Sequence, residues 1–282
     1  MQIFREKKEL SRAIDLKKKE GKSLGLVPTM GALHEGHLSL VKKALQETDL
    51  VVVSIFVNPT QFDNHDDLEK YPRDLQKDLD LLKSIDENIW IFVPSAEDLY
   101  GEEITSEHFE FDGLEKVMEG AFRKGHFDGV GTVVKKLFET VKPDKAFFGQ
   151  KDYQQLQIIR KLTEKAALPV EIVGCPIQRE SNGLARSSRN ERLNDQSREK
   201  AAFIYETLQK AKDLFGTKDA DYVIEWVEKQ FQNHSFLNLE YFEIADANTL
   251  KKINRKQKGN QYRAFIAVYA GDIRLIDNIA LN

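Results

Sequence analysis

The stretch Leu24-Gly25-Leu26-Val27-Pro28-Thr29-Met30-Gly31-Ala32-Leu33-His34-Glu35-Gly36-His37 sets the reading of the whole chain. It opens as a short apolar run over residues 23–27, the pattern of a buried strand. Pro28, with no N–H to give a ladder, is expected to end that strand. Thr29-Met30-Gly31 then makes a loop, and Gly31 lets backbone come close to a ligand. From Gly36 to Glu47 the spacing is helical, with Leu38, Val41 and Leu45 on one side and Lys42, Lys43 and Gln46 on the other. His34 and His37 therefore fall at a strand-to-helix junction, three apart and facing the same way. A helix start presents N–H groups and a positive dipole end that suit phosphate. Two imidazoles there can donate to phosphate oxygens as negative charge builds. A metal pair or two surface histidines would share this spacing. A metal needs a third and fourth ligand, and the single Cys175 and the scattered remaining histidines suggest none.

Outward from this stretch the chain alternates strands and helices. Residues 7–20 read as a charged amphipathic helix. Residues 50–57, Leu-Val-Val-Val-Ser-Ile-Phe-Val, are apolar throughout, as in a parallel strand buried on both faces. Strand, helix and strand in so few residues make a βαβ unit. In open parallel sheets ligands gather beyond the carboxyl ends of the strands. Asn58 and Gln61, just past this strand, are placed to offer amides, unless they are merely solvated in a Pro59 turn. Tyr71-Pro72-Arg73-Asp74 opens a helix through residue 85 with Leu75, Leu79 and Leu82 as its apolar stripe, and residues 89–93 make another buried strand. Residues 119–134 carry four glycines, which suggests a loop near a ligand. Arg123 within it can grip a carboxylate or phosphate with its planar fork. A helix over 130–141 and a strand over 145–148 lead to Gly149-Gln150-Lys151-Asp152-Tyr153. Lys151 can neutralise a triphosphate and Asp152 is a hard oxygen donor suited to magnesium; a solvated helix start is the plainer alternative.

After a strand at 170–174, Pro176 marks a boundary. Ser181-Asn182-Gly183 is a hairpin-type turn, and Ser187-Ser188-Arg189 sets two hydroxyls beside a guanidinium. Two helices (196–215 and 219–232) and three strands (239–246, 262–269 and 273–279) follow, a small α+β domain. The expected fold is α/β, a Rossmann-like doubly wound parallel sheet over residues 1–175, with a smaller C-terminal α+β domain over 176–282. A length of 282 residues with 41% hydrophobic and 31% charged side chains suits an ordinary soluble protein. The net charge of −4 leaves no basic footprint for nucleic acid, and the basic run over 251–258 reads as a solvated loop. One cysteine fits a reducing cytosol. No apolar run reaches membrane length, and the N-terminus lacks the apolar core of a secretion signal.

His-x-Gly-His after a first strand resembles the signature of the class I aminoacyl-tRNA synthetase and nucleotidyltransferase superfamily. The longer string from Val27 to His37 is similar to the pantothenate synthetase (pantoate–β-alanine ligase) family. So are Phe56-Val-Asn-Pro-Thr-Gln-Phe62, Tyr71-Pro-Arg73, Gly125-His-Phe-Asp-Gly-Val-Gly-Thr-Val-Val134, Phe148-Gly-Gln-Lys-Asp-Tyr-Gln-Gln155 and Ser187-Ser-Arg-Asn190. The resemblance covers nearly the whole chain. It implies a cytoplasmic homodimeric ligase that joins pantoate to β-alanine through a pantoyl adenylate, with ATP as co-substrate, Mg2+ as cofactor and the C-terminal domain as a lid. It implies His37, His34 and Lys151 as catalytic groups. It implies an ATP cradle of Met30, Gly31, Ala32, Leu33, His34, Glu35, Gly36 and His37, joined by Gly149, Gln150, Lys151, Asp152, Gln178, Arg186, Ser187, Ser188 and Arg189. Gln61 and Gln155 would hold pantoate, with Asn58 and Arg123 beside them, Gln61 also serving the β-alanine site, and Asp152 would meet the metal. Lys124, Gln150 and Arg186 depart from residues common in the family, and none removes a proposed catalytic group. A nucleotidyltransferase that stops after adding AMP would share the histidine motif, but the strings over 58–62 and 149–155 speak against it. A nucleotide-binding regulatory or RNA-binding module without catalysis is the third reading, which the acidic balance opposes for RNA while the basic run over 251–258 leaves room for a local patch.

Overall fold

The computed structural model describes residues 1–63, 65–232, 234–253 and 255–282. The chain forms two compact units, one of residues 1–150 and 155–176, the other of residues 151–154 and 177–282.

The first unit is built on a parallel sheet of β1 (Gln2–Phe4), β2 (Leu24–Thr29), β3 (Leu50–Ile55), β4 (Trp90–Phe92), β5 (Lys145–Gly149) and β6 (Glu171–Cys175). The order across it is β1-β4-β3-β2-β5-β6, every neighbouring pair parallel. The direction of winding reverses between β2 and β5, which is where such sheets bind ligands. The helices are α1 (Lys7–Lys19), α2 (Glu35–Glu47), α3 (His65–Glu69), α4 (Leu75–Lys83), α5 (Ala96–Tyr100), α6 (Met118–Phe122), α7 (His126–Val141) and α8 (Tyr153–Lys165). Leu38, Val41 and Ala44 of α2 and Leu79 and Leu82 of α4 pack with Val27, Val51, Val53 and Ile91 in one core layer. The intervening residues Leu26 and Val52 are equally buried, and α7 contacts both β2 and α1. Burial on both sides explains why these strands are apolar throughout rather than alternating.

Two expectations are corrected. Strand β2 does not stop before Pro28 but runs through it to Thr29. Ser23 and Thr29 turn their carbonyls to β3 while Leu24 turns to β5, so Pro28, in phase with Leu24, faces β5. Pairing with β5 ends at Leu26, so Pro28 withholds no needed donor. The glycine-rich residues 119–134 are not a loop: α6 and α7 occupy most of them. Only Gly125, at φ +77°, makes the turn between the two. Gly129 and Gly131 lie inside α7 as contact points: a Cβ on Gly129 would sit 2.6 Å from the Thr60 carbonyl carbon, and one on Gly131 would sit 3.0 Å from the Phe109 ring. The edge strand β1 had no sequence expectation.

In the second unit α9 (Asp195–Ala201), α10 (Phe203–Phe215) and α11 (Ala220–Gln232) accompany an antiparallel sheet of β7 (Leu237–Asp246), β8 (Tyr262–Ala270) and β9 (Ile273–Ala280). Ile204, Leu208 and Phe215 of α10, Val223 and Val227 of α11, and Ile244, Ile266 and Val268 of the sheet form its core. Residues 178–186 make a hairpin in which Arg179 bridges Ala185 and Glu180 N donates to the Leu184 carbonyl. Its turn needs Gly183, at φ +92°, where a Cβ would strike the Tyr205 ring. The basic run is exposed at Lys251, Lys252, Arg255, Lys256 and Lys258, and its Asn254 lies outside the described residues. Among the described residues no helix is long and apolar enough to cross a membrane.

Candidate active site

The loop between β2 and α2 is shaped by its own backbone. Gly31 and Ala32 both take left-handed angles, φ +78° and +49°, which cost energy for a residue bearing a Cβ, such as Ala32, and persist only where the surroundings hold them. Asp78 holds them here. From α4, only 2% exposed, its carboxylate accepts from Ala32 N at 3.0 Å and Leu33 N at 2.7 Å. Burial pushes the Asp78 carboxyl up from its ordinary value, against the pull of those two amides. The Thr29 hydroxyl donates to the Ser54 carbonyl and accepts from Gly31 N. Sequence reasoning passed over Asp78, although it had a signal: a carboxylate at the fourth position of the Leu75–Leu79–Leu82 stripe has no business on an apolar face.

The loop delivers His34 to the N-cap of α2, with extended angles φ −145° and ψ 175°. Its Nδ1 accepts from Gly36 N at 3.1 Å, so in the neutral ring the proton resides on Nε2. His37, in the first turn, lies against it with ring centroids 4.1 Å apart. Two imidazoles, the first amides of a helix and its dipole thus share one end of α2, a setting for anionic oxygen.

Beyond β3, Asn58 and Gln61 fall in and beside a short 3-10 turn, Pro59–Gln61. Asn58 is 1% exposed and commits its whole amide to the protein interior. Its Nδ2 donates to Gln61 Oε1 at 3.1 Å and to the Gly129 carbonyl at 3.2 Å, while its Oδ1 accepts from the Tyr100 and Thr60 hydroxyls. Gln61 Nε2 in turn donates to Met30 Sδ at 3.1 Å, so the histidine loop and the amide loop are joined. Arg123 enters the same cluster: its Nη1 lies 3.2 Å from His126 Nε2, and His126 Nδ1 lies 2.8 Å from the Gln61 carbonyl. That carbonyl can only accept, so Nδ1 holds the proton and Nε2 accepts from Arg123. Burial, and next the Arg123 charge, bring the His126 ring down to about 4. Asp63 and Glu119 flank Arg123 at 3.7 and 3.8 Å. His126 was missed as a separate site residue; its only sequence signal is its place directly after Gly125.

Gly149 ends β5 and Gln150–Asp152 form a 3-10 turn into α8, on which Gln155 is half-buried. Gly149, Gln150 and Gln155 belong to the first unit, Lys151 and Asp152 to the second. Lys151 Nζ is 3.5 Å from Asp152 Oδ1. Also in the second unit, the Gln178 carbonyl accepts from Arg186 N at 2.9 Å, and the Arg186 guanidinium lies 3.6 Å from Glu180. The Ser187 hydroxyl accepts from Arg189 N at the start of a 3-10 turn, Ser188–Arg192. Hence Met30, the histidines, Asn58, Gln61 and Arg123 come together in one unit, and Lys151, Asp152, Gln178 and residues 186–189 belong to the other.

A family model described as pantoate-beta-alanine ligase matches residues 2–280. The chain is 68% identical over its full length, and over the full length of the relative, to a pantothenate synthetase of Christiangramia forsetii. Among solved structures, the pantothenate synthetase of Thermus thermophilus superposes with a TM-score of 0.91 at 37% identity, covering 100% of this chain and 99% of that one. A pantoate-beta-alanine ligase of Francisella tularensis, complexed with beta-gamma ATP and beta-alanine, gives a TM-score of 0.81 at 36% identity, covering 100% and 98%.

Proposed function

The chain belongs to the pantoate-beta-alanine ligase family, and on that premise we propose which of its residues carry the reaction. It is an ATP-dependent ligase that joins pantoate to β-alanine to give pantothenate. A carboxylate acylates an amine poorly until it acquires a good leaving group. In the first step a pantoate carboxylate oxygen attacks the α-phosphorus of ATP, the bond from that phosphorus to the bridging oxygen breaks, and pyrophosphate leaves. In the second the β-alanine amine attacks the acyl carbon and loses a proton, and AMP leaves with the electrons of the acyl–oxygen bond.

The observation that carries this reading is the pair of imidazoles, 4.1 Å apart and tilted by 33°, at the N-terminus of α2. Charge gathers on phosphate oxygens in the first transition state, and fixed donors are worth most there. We assign His37 and His34 that role, with residues Met30 to His37 as the nucleotide cradle. Gln61, oriented by Asn58 and by the His126–Arg123 pair, takes pantoate together with Gln155. Lys151, Gln178, Arg186, Ser187, Ser188 and Arg189 take phosphate, beside Gly149 and Gln150. Magnesium fits as the companion of ATP. The Asp152 side chain is about half exposed, and among the described residues no group of three His, Cys, Asp or Glu could cage a cation. A single carboxylate is enough for an ion that keeps waters and substrate phosphates as its other ligands. When bound, the ion offsets phosphate charge. The family resemblance also supports a cytoplasmic homodimer, whose assembly light scattering of the purified chain checks.

Single-turnover kinetics of the two half-reactions test the assignment. His37→Ala should fold normally and lose ~10²–10³ in pantoate adenylation, with a smaller loss when preformed pantoyl adenylate meets β-alanine. Excess chelator should stop the first step. A folded His37→Ala protein that adenylates at the parent rate defeats the reading.

A further inference from the structure

The last strand of the second unit reaches back to residue Lys151. Asn278 Nδ2, on β9, donates to the Lys151 carbonyl at 2.8 Å. Its Oδ1 accepts from Arg263 of β8, whose guanidinium lies 4.1 Å above the Tyr153 ring. Two side chains of the sheet thus hold the entry to α8, one by the Lys151 carbonyl in the turn before it and one by the ring of Tyr153, its first residue. Asn278 is 2% exposed and Arg263 9%, so this is a built polar grip rather than a surface contact.

The same strand holds the hairpin. Asp277, beside Asn278 and 4% exposed, receives both Arg179 nitrogens, at 2.6 and 3.0 Å. Arg179 also donates to the Gly183 carbonyl at 3.0 Å and stacks 3.8 Å from the Tyr205 ring. Asp277 Oδ1 in addition accepts from Asn278 N at 2.7 Å, so the two neighbouring side chains are locked to each other. An unbroken chain of contacts therefore runs from the hairpin through Arg179, Asp277 and Asn278 to the Lys151 backbone. Burying a carboxylate and two guanidiniums is expensive, and such pairs often contribute little to stability. Their presence calls for another reason than cohesion.

We infer that Asp277 and Asn278 are positioning residues that fix the Lys151 turn and the 178–186 hairpin as one body, so that the phosphate-directed groups of both are set together. This rests on the assignment of Lys151 and residues 186–189 to ATP made above. Neither Asp277 nor Asn278 is assigned a contact with substrate. Asn278 acts through the main chain of Lys151, and Asp277 through Arg179.

The test is a double-mutant cycle on the full chain. Asn278→Ser shortens the donor so that it no longer spans to the Lys151 carbonyl. It should raise the KM for ATP or slow adenylation by about tenfold, with the KM for pantoate and the rate from preformed adenylate unchanged. In a Lys151→Ala background the same substitution should slow adenylation by clearly less than it does in the parent, whereas its effect on melting temperature should add. Asn278→Ala serves in the same cycle if the serine variant does not fold, and Arg179→Lys, which loses the two-point pairing, should reproduce the ATP-specific defect. Parent-like ATP kinetics in folded Asn278 variants, or fully additive losses in the cycle, overturn the proposal while leaving the ATP assignment standing. Unchanged adenylation by Lys151→Ala overturns both.

Discussion

At the scale of single residues, the site depends on buried polar groups whose partners are main-chain atoms. Asp78 is the plainest case, because the unusual angles of Gly31 and Ala32 need something to hold them and its two oxygens do so. Asp78→Asn keeps the shape but turns an NH2 group toward one of the two amides. The variant should lose ~1–3 kcal/mol of stability, the usual cost of an orphaned buried donor, and should adenylate more slowly because the histidine loop relaxes. Chemical denaturation and single-turnover adenylation measure both, and parent values in each would mean that the loop holds itself. The carboxylate could be found from its position on a leucine stripe. Its two partners could not, since nothing local to residue 78 points to residues 32 and 33. Asn278 is harder still: a lone amide late in a strand has no local pattern at all, and its meaning comes from the Lys151 carbonyl it meets.

At the scale of elements, α7 shows how a helix can be fitted to a loop by what it lacks. Gly129→Ala puts a methyl group against the Thr60 carbonyl carbon and the Gln61 backbone, at 2.6 and 2.7 Å, and main chain cannot turn aside. Gly131→Ala meets only the Phe109 ring at 3.0 Å and the Phe111 ring at 3.2 Å, side chains that can shift. Each exchange gains up to ~1 kcal/mol of helix propensity, so Gly131→Ala should be close to neutral. Gly129→Ala should be destabilised by ~1–3 kcal/mol and should bind pantoate less well as Gln61 moves. Thermal unfolding of the two variants side by side decides it, and equal melting temperatures would show that the turn yields. These glycines explain where reading the chain succeeded and failed. The strands were legible because burial on both faces leaves runs such as Val51-Val52-Val53, and α2 because its apolar side repeats at helical spacing. A glycine packed inside a helix is indistinguishable from a loop glycine until its distant neighbour is known. Likewise the passage of β2 through Pro28 follows from where β5 stops pairing, a fact about another strand.

At the scale of the whole molecule, His126 ties the site to stability. Its ring is brought down to about 4 in the folded chain from 6.5 because burial first, and then Arg123, disfavour the cation, with the Gln61 carbonyl, Glu119 and Asp63 pulling the other way. Between about pH 6.5 and 4 the unfolded chain therefore binds a proton that the folded chain refuses, and stability must fall as the pH drops through that window. The full difference is worth ~3 kcal/mol. In His126→Asn, which can still donate to the Gln61 carbonyl but does not titrate, the pH dependence of unfolding over this range should be flatter by that amount. Urea titrations at several pH values would reveal it, and identical slopes would rule out His126 as the source. The grip of Asn278 on Lys151 has a consequence of a different kind, in the order of synthesis. The two residues are 127 positions apart. On a ribosome adding ~5–20 residues per second, the lysine waits roughly 6–25 s for its partner. For most of that interval the six strands of the parallel sheet have already been made, while the Lys151 carbonyl still lacks its Asn278 donor. The strands of the parallel sheet are thus synthesised well before β9, the strand that supplies the donor to the Lys151 carbonyl.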